Sequence, residues 1–225
     1  MTILKKKLMC FRDQLGLRPL YYCVENNKLI VSSSIKSIKD FSSQDFKISK
    51  KRIMDHLLFN CGAKKDTFFK KIFKIPKANL LTLENSNLKI EEYFNLNDFY
   101  KKKPKQSKDY SKEFRKIFLE VIHSQMRSPN NKITSALSGG LDSSSITRSL
   151  SYLNTNNEIN SISIIFKGLQ GEEKEKTDEF EYMKSAGDKN YTSHFIEIEN
   201  TGPISTLETS QKYYDFPVSA INGYA

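Results

Sequence analysis

The chain has 225 residues, enough for one large domain or two small ones. Hydrophobic residues make up 38% and charged residues 28%, a balance that favours a packed core over wholesale disorder. The formal net charge is +10, but the lysines are spread along the chain, and binding of nucleic acid through the basic run KKKPK at residues 101–105 has only its charge in favour. We therefore predict no nucleic-acid partner.

Membrane and secreted classes are disfavoured by the apolar pattern. No stretch reaches the roughly 18 uninterrupted apolar residues of a membrane helix, and the start lacks the apolar run of a secretory signal. The three cysteines, Cys10, Cys23 and Cys61, are odd in number and form no C-x-x-C motif. Because the histidines also lie far from any cysteine pair, neither a disulfide framework nor a zinc site is expected. We predict a cytoplasmic protein without a membrane partner.

The first hundred residues favour β-hairpins around one helix. Short apolar runs separated by turn residues predict strands at residues 8–11, 20–24, 28–32, 79–83 and 88–90. Ser49 can cap a helix that carries Ile53, Leu57 and Leu58 on one face. One helix among several hairpins is typical of an α+β domain.

A charged segment comes next along the chain. Residues 101–109, KKKPKQSKD, contain Pro104 and almost no apolar side chain, which is typical of a solvated linker. We therefore predict a first domain at residues 1–100, a linker at 101–110 and a second domain at 111–225. The alternative is a surface loop inside a single domain.

After this segment strands and helices alternate. Apolar residues at helical spacing begin near residue 114, and helices are also predicted at residues 143–153 and 179–186. Strands are predicted at residues 132–137, 161–166 and 194–198. This order favours a parallel sheet with crossover helices, and therefore an α/β second domain.

The strongest chemical signal is SALSGGLDSS at residues 135–144, where a predicted strand ends and a helix begins. Gly139 and Gly140 permit torsions that direct several N–H groups at one point, and a helix N-terminus favours an anion there. Ser138 and Ser143 can donate hydroxyl hydrogen bonds to phosphate oxygens, and Asp142 suits a Mg²⁺ that accompanies the phosphates. The alternative is an ordinary strand–turn–helix connection with a capping Ser or Asp.

Two motifs carry a family resemblance. S-G-G-L-D-S resembles the pyrophosphate loop of ATP pyrophosphatases, which include asparagine, GMP, NAD and argininosuccinate synthetases. Residues 12–22, RDQLGLRPLYY, resemble the R-D-x-x-G-x-[KR]-P-L-Y-Y turn of class II (N-terminal nucleophile) glutamine amidotransferase domains. Residues 32–38 and 90–96 resemble that domain's strand-to-helix segment and closing strand. Together, the motifs resemble the glutamine-hydrolysing asparagine synthetase family.

The resemblance implies an α/β chain in which part of an α+β class II amidotransferase domain precedes part of a Rossmann-like ATP-pyrophosphatase domain with a parallel sheet. It implies a C–N bond-forming ligase that amidates aspartate through β-aspartyl-AMP, with ammonia taken from glutamine. The resemblance also implies ATP and Mg²⁺ as cofactors, and it is compatible with a homodimer.

The resemblance also assigns site residues, with Asp142 as the metal ligand and no catalytic residue expected. The residues implied to bind ATP or pyrophosphate are Leu137, Ser138, Gly139, Gly140, Asp142, Ser143 and Ile164. For Leu137 and Ile164 the alternative is core packing. Asp178 and Glu179 occupy the place of a D-E helix start, and they are equally well explained as acidic residues in a first helical turn.

The chain departs from the family pattern in two places. Thr2 stands where the family has its nucleophilic cysteine, and Cys10 lies in a strand-like run, so no glutamine hydrolysis is expected. Residues 215–217 resemble the stretch before an S-G-E-G-x-D-E motif, which the sequence lacks. We therefore expect an incomplete or inactive fragment. Two alternatives are an amide former acting on another carboxylate, as in β-lactam or peptide-macrocycle synthesis, and a non-catalytic nucleotide-binding remnant.

Overall fold

A computed structural model divides the chain into two compact units. The first contains residues 1–104 and 211–218, and the second contains residues 105–210 and 219–225. The structure describes residues 2–4, 7–59, 65–98, 109–153, 156–166, 179–186, 191–198 and 214–215. Cys61, Asp178 and most of the predicted linker lie outside these residues.

The described part of the first unit forms two antiparallel sheets and two helices. Its strands are β1 (Thr2–Leu4), β2 (Lys7–Phe11), β3 (Tyr21–Glu25), β4 (Lys28–Ser32), β5 (Phe73–Lys74), β6 (Asn79–Glu84) and β7 (Asn87–Glu92). Its helices are α1 (Ile35–Phe41) and α2 (Lys50–Leu57). The strand orders are β1-β2-β6-β7 and β4-β3-β5.

Two tight turns build the hairpins of this unit. Asn26 and Asn27 join β3 to β4 with φ of 47° and 59°, and Asn85 and Ser86 join β6 to β7 with φ of 49° and 65°. Two successive positive φ values match the twist of the flanking strands in a two-residue hairpin, and Asn tolerates them well. Both predicted hairpins are therefore confirmed.

Strand β3 is buried on both faces and fixes the layer order. Tyr21 and Cys23 pack against α1 on one face, while Tyr22 packs with Cys10 of β2 and Leu81 of β6 on the other. Successive strand residues point to opposite faces, so the β4-β3-β5 sheet lies between helix α1 and the second sheet. This layering agrees with the predicted α+β class.

Helix α2 has the predicted start but a different buried face. The Ser49 hydroxyl accepts from the Arg52 N–H at 3.4 Å, as expected of an N-cap. The three apolar residues of the predicted stripe are 39–72% exposed, whereas Arg52 is buried with its guanidinium carbon 5.4 Å from the Phe68 ring centroid. The aliphatic stem and planar head of an arginine can cover an aromatic face, which explains this burial.

The described part of the second unit alternates helix and strand. Its elements are α3 (Tyr110–Gln125), β8 (Lys132–Ala136), α4 (Leu141–Leu153), β9 (Glu158–Phe166), α5 (Phe180–Ser185) and β10 (Thr192–Ile198). The sheet order is β10-β9-β8 and both pairs are parallel, which confirms the predicted parallel sheet. The last residue of the predicted linker segment, Asp109, caps α3 by accepting from the Lys112 N–H at 3.1 Å.

Helices α3 and α4 cover one face of this sheet. Ile122 of α3 and Met126, which follows its last residue, pack with Leu150 of α4 and Ile159 of β9. Because the strands are parallel, the carboxyl ends of β8 and β9 lie at one edge, and α4 begins at that edge. None of the helices in the described part of the chain has both the length and the apolar character that a membrane crossing requires.

Candidate functional site

The chain leaves the sheet at Leu137 and enters α4 four residues later. The Leu137 N–H donates to the Ile162 carbonyl at 2.9 Å, which extends the β8–β9 pairing by one residue. The Leu137 side chain is only 2% exposed and belongs to the core. Residues 138–143 come directly after it and form the part of the predicted site that lies at the carboxyl edge of the sheet.

The two glycines of this segment have different roles. Gly139 has φ of +86°, and a Cβ on it would lie 3.0 Å from both the Cβ and the carbonyl oxygen of Glu179. Gly140 lies outside the positive-φ region, and its Cβ would make an ordinary 3.5 Å contact with the Ser138 hydroxyl. The unusual torsion expected of both glycines is therefore needed at Gly139 alone.

A hydroxyl network holds the turn closed. The Ser143 Oγ accepts from the Ser138 N–H at 3.1 Å, lies 3.0 Å from the Ser138 Oγ and donates to the Gly140 carbonyl at 3.1 Å. Because a hydroxyl carries one proton, Ser138 is the donor in the hydroxyl pair. Both predicted phosphate-binding hydroxyls thus already have partners, and a phosphate oxygen would have to replace an acceptor inside the turn.

The backbone supplies donors that have no such partner. The Ser144 N–H returns to the Gly140 carbonyl at 3.1 Å. Within the described residues, no hydrogen bond is formed by the N–H groups of Gly139, Gly140, Leu141 and Asp142. Such groups at a helix N-terminus, together with the helix dipole, can bind an anion.

Asp142 lies in the first turn of α4 and is exposed. An acidic residue there is favourable for the helix in the absence of any ligand. The described residues contain no group of three or more His, Cys, Asp or Glu side chains able to hold a metal. Mg²⁺ commonly binds one or two carboxylates and completes its shell with substrate phosphates and water. Asp142, beside N–H groups that could bind phosphate, fits that pattern. Asp142 alone could not supply all the ligands of a metal ion.

Leu137 and Ile164 are not brought together. Ile164 is half-buried in β9 and pairs with Ile196 of β10, which is 50% exposed. Alternation along β9 puts Ile164 on the face opposite to Ser163, the face away from the covering helices. The role of these two residues at a nucleotide therefore stays a prediction.

Sequence reasoning missed the contact made by the segment that begins α5. Glu179 precedes this helix, and its side chain makes no capping hydrogen bond. Its main chain and the Cβ of Tyr182 instead lie close enough to Gly139 to exclude a side chain there. The sequence left a functional role open for Asp178 and Glu179, and the structure places Glu179 against the loop through its backbone.

The burial along β9 is the reverse of what side-chain hydrophobicity favours. Isoleucine is ordinarily the more buried residue type in a strand of alternating Ser and Ile. Ser161 and Ser163 are instead 0% and 1% exposed, while Ile162 is 38% exposed. Nearby, buried Thr147 of α4 pairs with Ser135 of β8 at 2.9 Å. The Ser161 hydroxyl donates to the Ser193 hydroxyl at 3.2 Å, whereas the buried Ser163 hydroxyl has no hydrogen-bond partner among the described residues.

The turn after β2 in the first unit is built around Asp13. Its carboxylate accepts backbone N–H bonds from Leu17 at 2.9 Å, Arg18 at 3.1 Å and Leu15 at 3.2 Å. These bonds, with those of Leu17 and Arg18 largest, lower the pKa of Asp13. Asp13 is therefore a structural organiser of the R-D-x-x-G turn.

Arg12 serves the same turn from the other side. Its guanidinium donates to the carbonyls of Gly16 at 2.7 Å and of Arg18 and Ile75, both at 2.9 Å. These partners are backbone carbonyls, although an Arg next to an Asp in the sequence could also form an ion pair with it. The side chains of Arg12 and Asp13 thus hold the turn by bonding its backbone carbonyls and N–H groups.

The described cysteines lie in the core. Cys10 in β2 is 7% exposed and Cys23 in β3 is fully buried. Burial raises the pKa of both thiols, and the nearby Glu25 carboxylate further raises that of Cys23. Neither is an activated thiolate, which agrees with the expectation that Cys10 does not replace the family's nucleophile.

Two family models match consecutive parts of the chain. The one described as a glutamine amidotransferase domain matches residues 3–94, and the one described as asparagine synthase matches residues 113–222. The first match contains the R-D-x-x-G turn, and the second contains the loop between β8 and α4.

Curated proteins with similar sequences include both asparagine synthetases and an amidase. A Methanocaldococcus jannaschii protein provisionally named asparagine synthetase (glutamine-hydrolyzing) 2 is 28% identical over 197 residues, 84% of this chain and 36% of that protein. Asparagine synthetase (glutamine-hydrolyzing) 3 of Bacillus subtilis is 31% identical over 143 residues, 62% of this chain and 22% of that protein. Amidase chry2 of Gibberella zeae is 24% identical over 230 residues, 97% of this chain and 34% of that protein. The chain spans about a third or less of the length of these relatives.

Proposed function

The chain belongs to the asparagine synthetase family, and from that premise we propose that its second unit binds ATP at residues 138–143 for the ATP-dependent amidation of a carboxylate. The observation that carries the proposal is the set of backbone N–H groups at the start of α4, from Gly139 to Asp142, that have no partner in the described structure. They lie at the carboxyl edge of a parallel sheet, where ligands of such sheets bind.

The chemistry explains why these donors are needed. A carboxylate is a poor acyl donor, and transfer of the AMP part of ATP gives it a good leaving group. The departing pyrophosphate carries a high negative charge, which fixed N–H and hydroxyl donors can stabilise without reorganising. Gly139 shapes the turn for this purpose, and Ser138 and Ser143 can exchange their present partners for phosphate oxygens. A bound Mg²⁺, held by Asp142 and the phosphates, would neutralise part of the charge.

We propose aspartate as the acceptor and ammonia as the nucleophile that displaces AMP from β-aspartyl-AMP. Family membership supports aspartate, because two of the relatives named above are asparagine synthetases. We also propose that this chain uses ammonia supplied from outside. Cys10 and Cys23 are buried in strands with raised pKa values, so neither can release ammonia from glutamine.

A second candidate keeps the ATP site and changes the acceptor. The relative from Gibberella zeae matches 97% of this chain and is named an amidase. That match favours an amide-forming or amide-processing step on a carboxyl compound other than aspartate. Both candidates predict ATP binding at residues 138–143, and they differ in which carboxylate promotes the release of AMP.

The proposal is tested by calorimetric titration of the full chain with ATP, with and without Mg²⁺. The proposal is supported if ATP binding strengthens with Mg²⁺. It is also supported if binding persists when salt is raised from about 50 to about 200 mM, because binding to a basic surface through charge alone would weaken greatly over that range. A folded chain that binds no ATP would overturn the proposal.

A second assay identifies the acceptor. AMP and pyrophosphate are measured with ammonium chloride and either aspartate or other carboxylates. AMP release that requires aspartate supports the first candidate, and release that requires another carboxylate supports the second. ATP binding without AMP release under any of these conditions would leave the chain a nucleotide-binding remnant and overturn both acceptor assignments.

A further inference from the structure

A directed chain of hydrogen bonds connects the sheet to the start of α4 beneath the loop. The Ser135 Oγ lies 2.9 Å from the Thr147 Oγ1, which lies 3.0 Å from the Ser143 carbonyl oxygen. Ser135 is 8% exposed and Thr147 is completely buried. A carbonyl can only accept, so the single Thr147 proton goes to Ser143 and Ser135 donates to Thr147. The other acceptor near Ser135, the Ala136 carbonyl, is farther away at 3.4 Å.

The residue at the end of this chain also closes the loop. The Ser143 side chain binds the Ser138 N–H, the Ser138 hydroxyl and the Gly140 carbonyl. Thr147 therefore fixes the main chain of the residue whose side chain shapes the turn. It contacts none of the N–H groups that would face a phosphate, so any effect on binding must pass through Ser143.

A threonine hydroxyl that bonds the carbonyl four residues earlier is neutral or slightly unfavourable for a helix. Helix stability alone thus gives no reason for Thr147, whereas anchoring the first turn of α4 to strand β8 does. Fixing that turn before a ligand arrives reduces the entropy lost on binding. Backbone N–H donors that are already oriented toward the phosphates also stabilise the negative charge of those phosphates more effectively.

We propose that Thr147 is a positioning residue for the loop, holding Ser143 so that the donors at residues 139–142 are arranged for phosphate before it binds. The proposal rests on the ATP-binding function proposed above and adds a residue that the family motif does not include. Ser135 is its anchor on the sheet.

Two variants distinguish the contribution of the Thr147 hydroxyl to ATP binding from that of its methyl group. Thr147→Val keeps the shape and removes the hydroxyl, while Thr147→Ser keeps the hydroxyl. We expect Thr147→Val to raise the Kd for Mg·ATP by about tenfold, and Thr147→Ser to stay within about threefold of the wild type. Ser149→Ala, on the same helix and outside the network, is the matched control and should leave the Kd unchanged.

Folding is controlled separately. Thr147→Val leaves the buried Ser135 hydroxyl without its partner, so the double variant Ser135→Ala/Thr147→Val removes both partners at once. If Thr147→Val does not fold, the double variant replaces it in every measurement. It should show the same raised Kd, because the anchor is missing in both.

Hydrogen exchange of the Ser138 and Ser144 backbone amides, which donate to the Ser143 Oγ and the Gly140 carbonyl, gives a second readout that needs no ligand. Exchange there should be faster in Thr147→Val than in the wild type and restored in Thr147→Ser. If the wild type binds no ATP, the proposed function fails, while the exchange data still decide whether Thr147 orders the loop. Unchanged exchange and unchanged Kd in Thr147→Val would overturn the inference, as would an equal loss of binding in Thr147→Ser.

Discussion

Glu179 lies so close to Gly139 that a Cβ on the glycine would be 3.0 Å from both the Cβ and the carbonyl oxygen of Glu179. The contact joins the loop after β8 to the residue before α5. Since α5 leads to β10, the crossover between the second and third strands of the unit bears directly on the shape of the loop. Gly139 is therefore constrained by a neighbour as well as by its own φ of +86°.

The first prediction compares Gly139→Ala with Gly140→Ala. A left-handed conformation costs a residue with a side chain about 1–2 kcal/mol, and the contact with Glu179 adds to this at Gly139. We expect Gly139→Ala to lower the melting temperature and to weaken ATP binding. Gly140→Ala has neither problem, so it should be much closer to the wild type in both measurements. Equal effects of the two substitutions would contradict the geometry described for the loop.

The second prediction concerns Asp142. If its carboxylate holds Mg²⁺ beside the phosphates, Asp142→Asn should weaken Mg·ATP binding by at least about tenfold. Titrations in the presence of EDTA provide the control, because wild type and variant should then bind ATP similarly. A role limited to the helix dipole would change the melting temperature and leave the Mg²⁺ dependence intact. Equal Mg·ATP affinities of variant and wild type would therefore refute the metal assignment.

Local chemistry was enough to predict much of this architecture. The turn at Asn26 and Asn27 and that at Asn85 and Ser86 use residues that accept positive φ, so hairpin positions follow from the sequence. The alternation of strand and helix after residue 110 led directly to a parallel sheet. The position of the 138–143 segment, between β8 and α4, followed from its glycines and the apolar runs on both sides.

Long-range packing decided what could not be predicted. The burial of Arg52 depends on the Phe68 ring, and the need for glycine at position 139 depends on Glu179, forty positions along the chain. Ser161 of β9 is buried where its hydroxyl donates to the Ser193 hydroxyl of the neighbouring strand β10 at 3.2 Å. Each of these depends on a neighbour brought close by the fold, which neither periodicity nor a short motif encodes.

The third prediction is that the chain does not hydrolyse glutamine through its described cysteines. Because burial raises the pKa of Cys10 and Cys23, both thiols should be protonated and inaccessible at neutral pH. We expect no glutamate release from glutamine, and slow modification of both residues by iodoacetamide in the native chain. Peptide mass spectrometry resolves the two sites, and rapid modification after denaturation is the control. Fast labelling of Cys10 or Cys23 in the native chain, or release of glutamate that is lost when either residue is replaced by serine, would contradict this prediction.

The fourth prediction is that Asp13 makes the stability of the folded chain vary with pH. Backbone N–H bonds, those of Leu17 and Arg18 foremost, lower the pKa of this carboxyl in the folded chain. A lowered folded-state pKa means stabilisation that is fully present above the unfolded-state pKa, about 3.9 for aspartate, and lost as pH falls through the folded-state pKa. The wild type should therefore lose the contribution of Asp13 to its stability as the pH falls below about 4.

Asp13→Asn removes the titrating group while keeping one acceptor oxygen. We expect this variant to melt at a lower temperature than the wild type at neutral pH, and to lose less of its stability on acidification. Melting curves from about pH 7 to about pH 3 give both quantities. Asp45→Asn, at an exposed position of the same unit, controls for the change in net charge. If the two variants showed the same pH profile, the backbone bonds of Asp13 could not be the cause of the acid sensitivity.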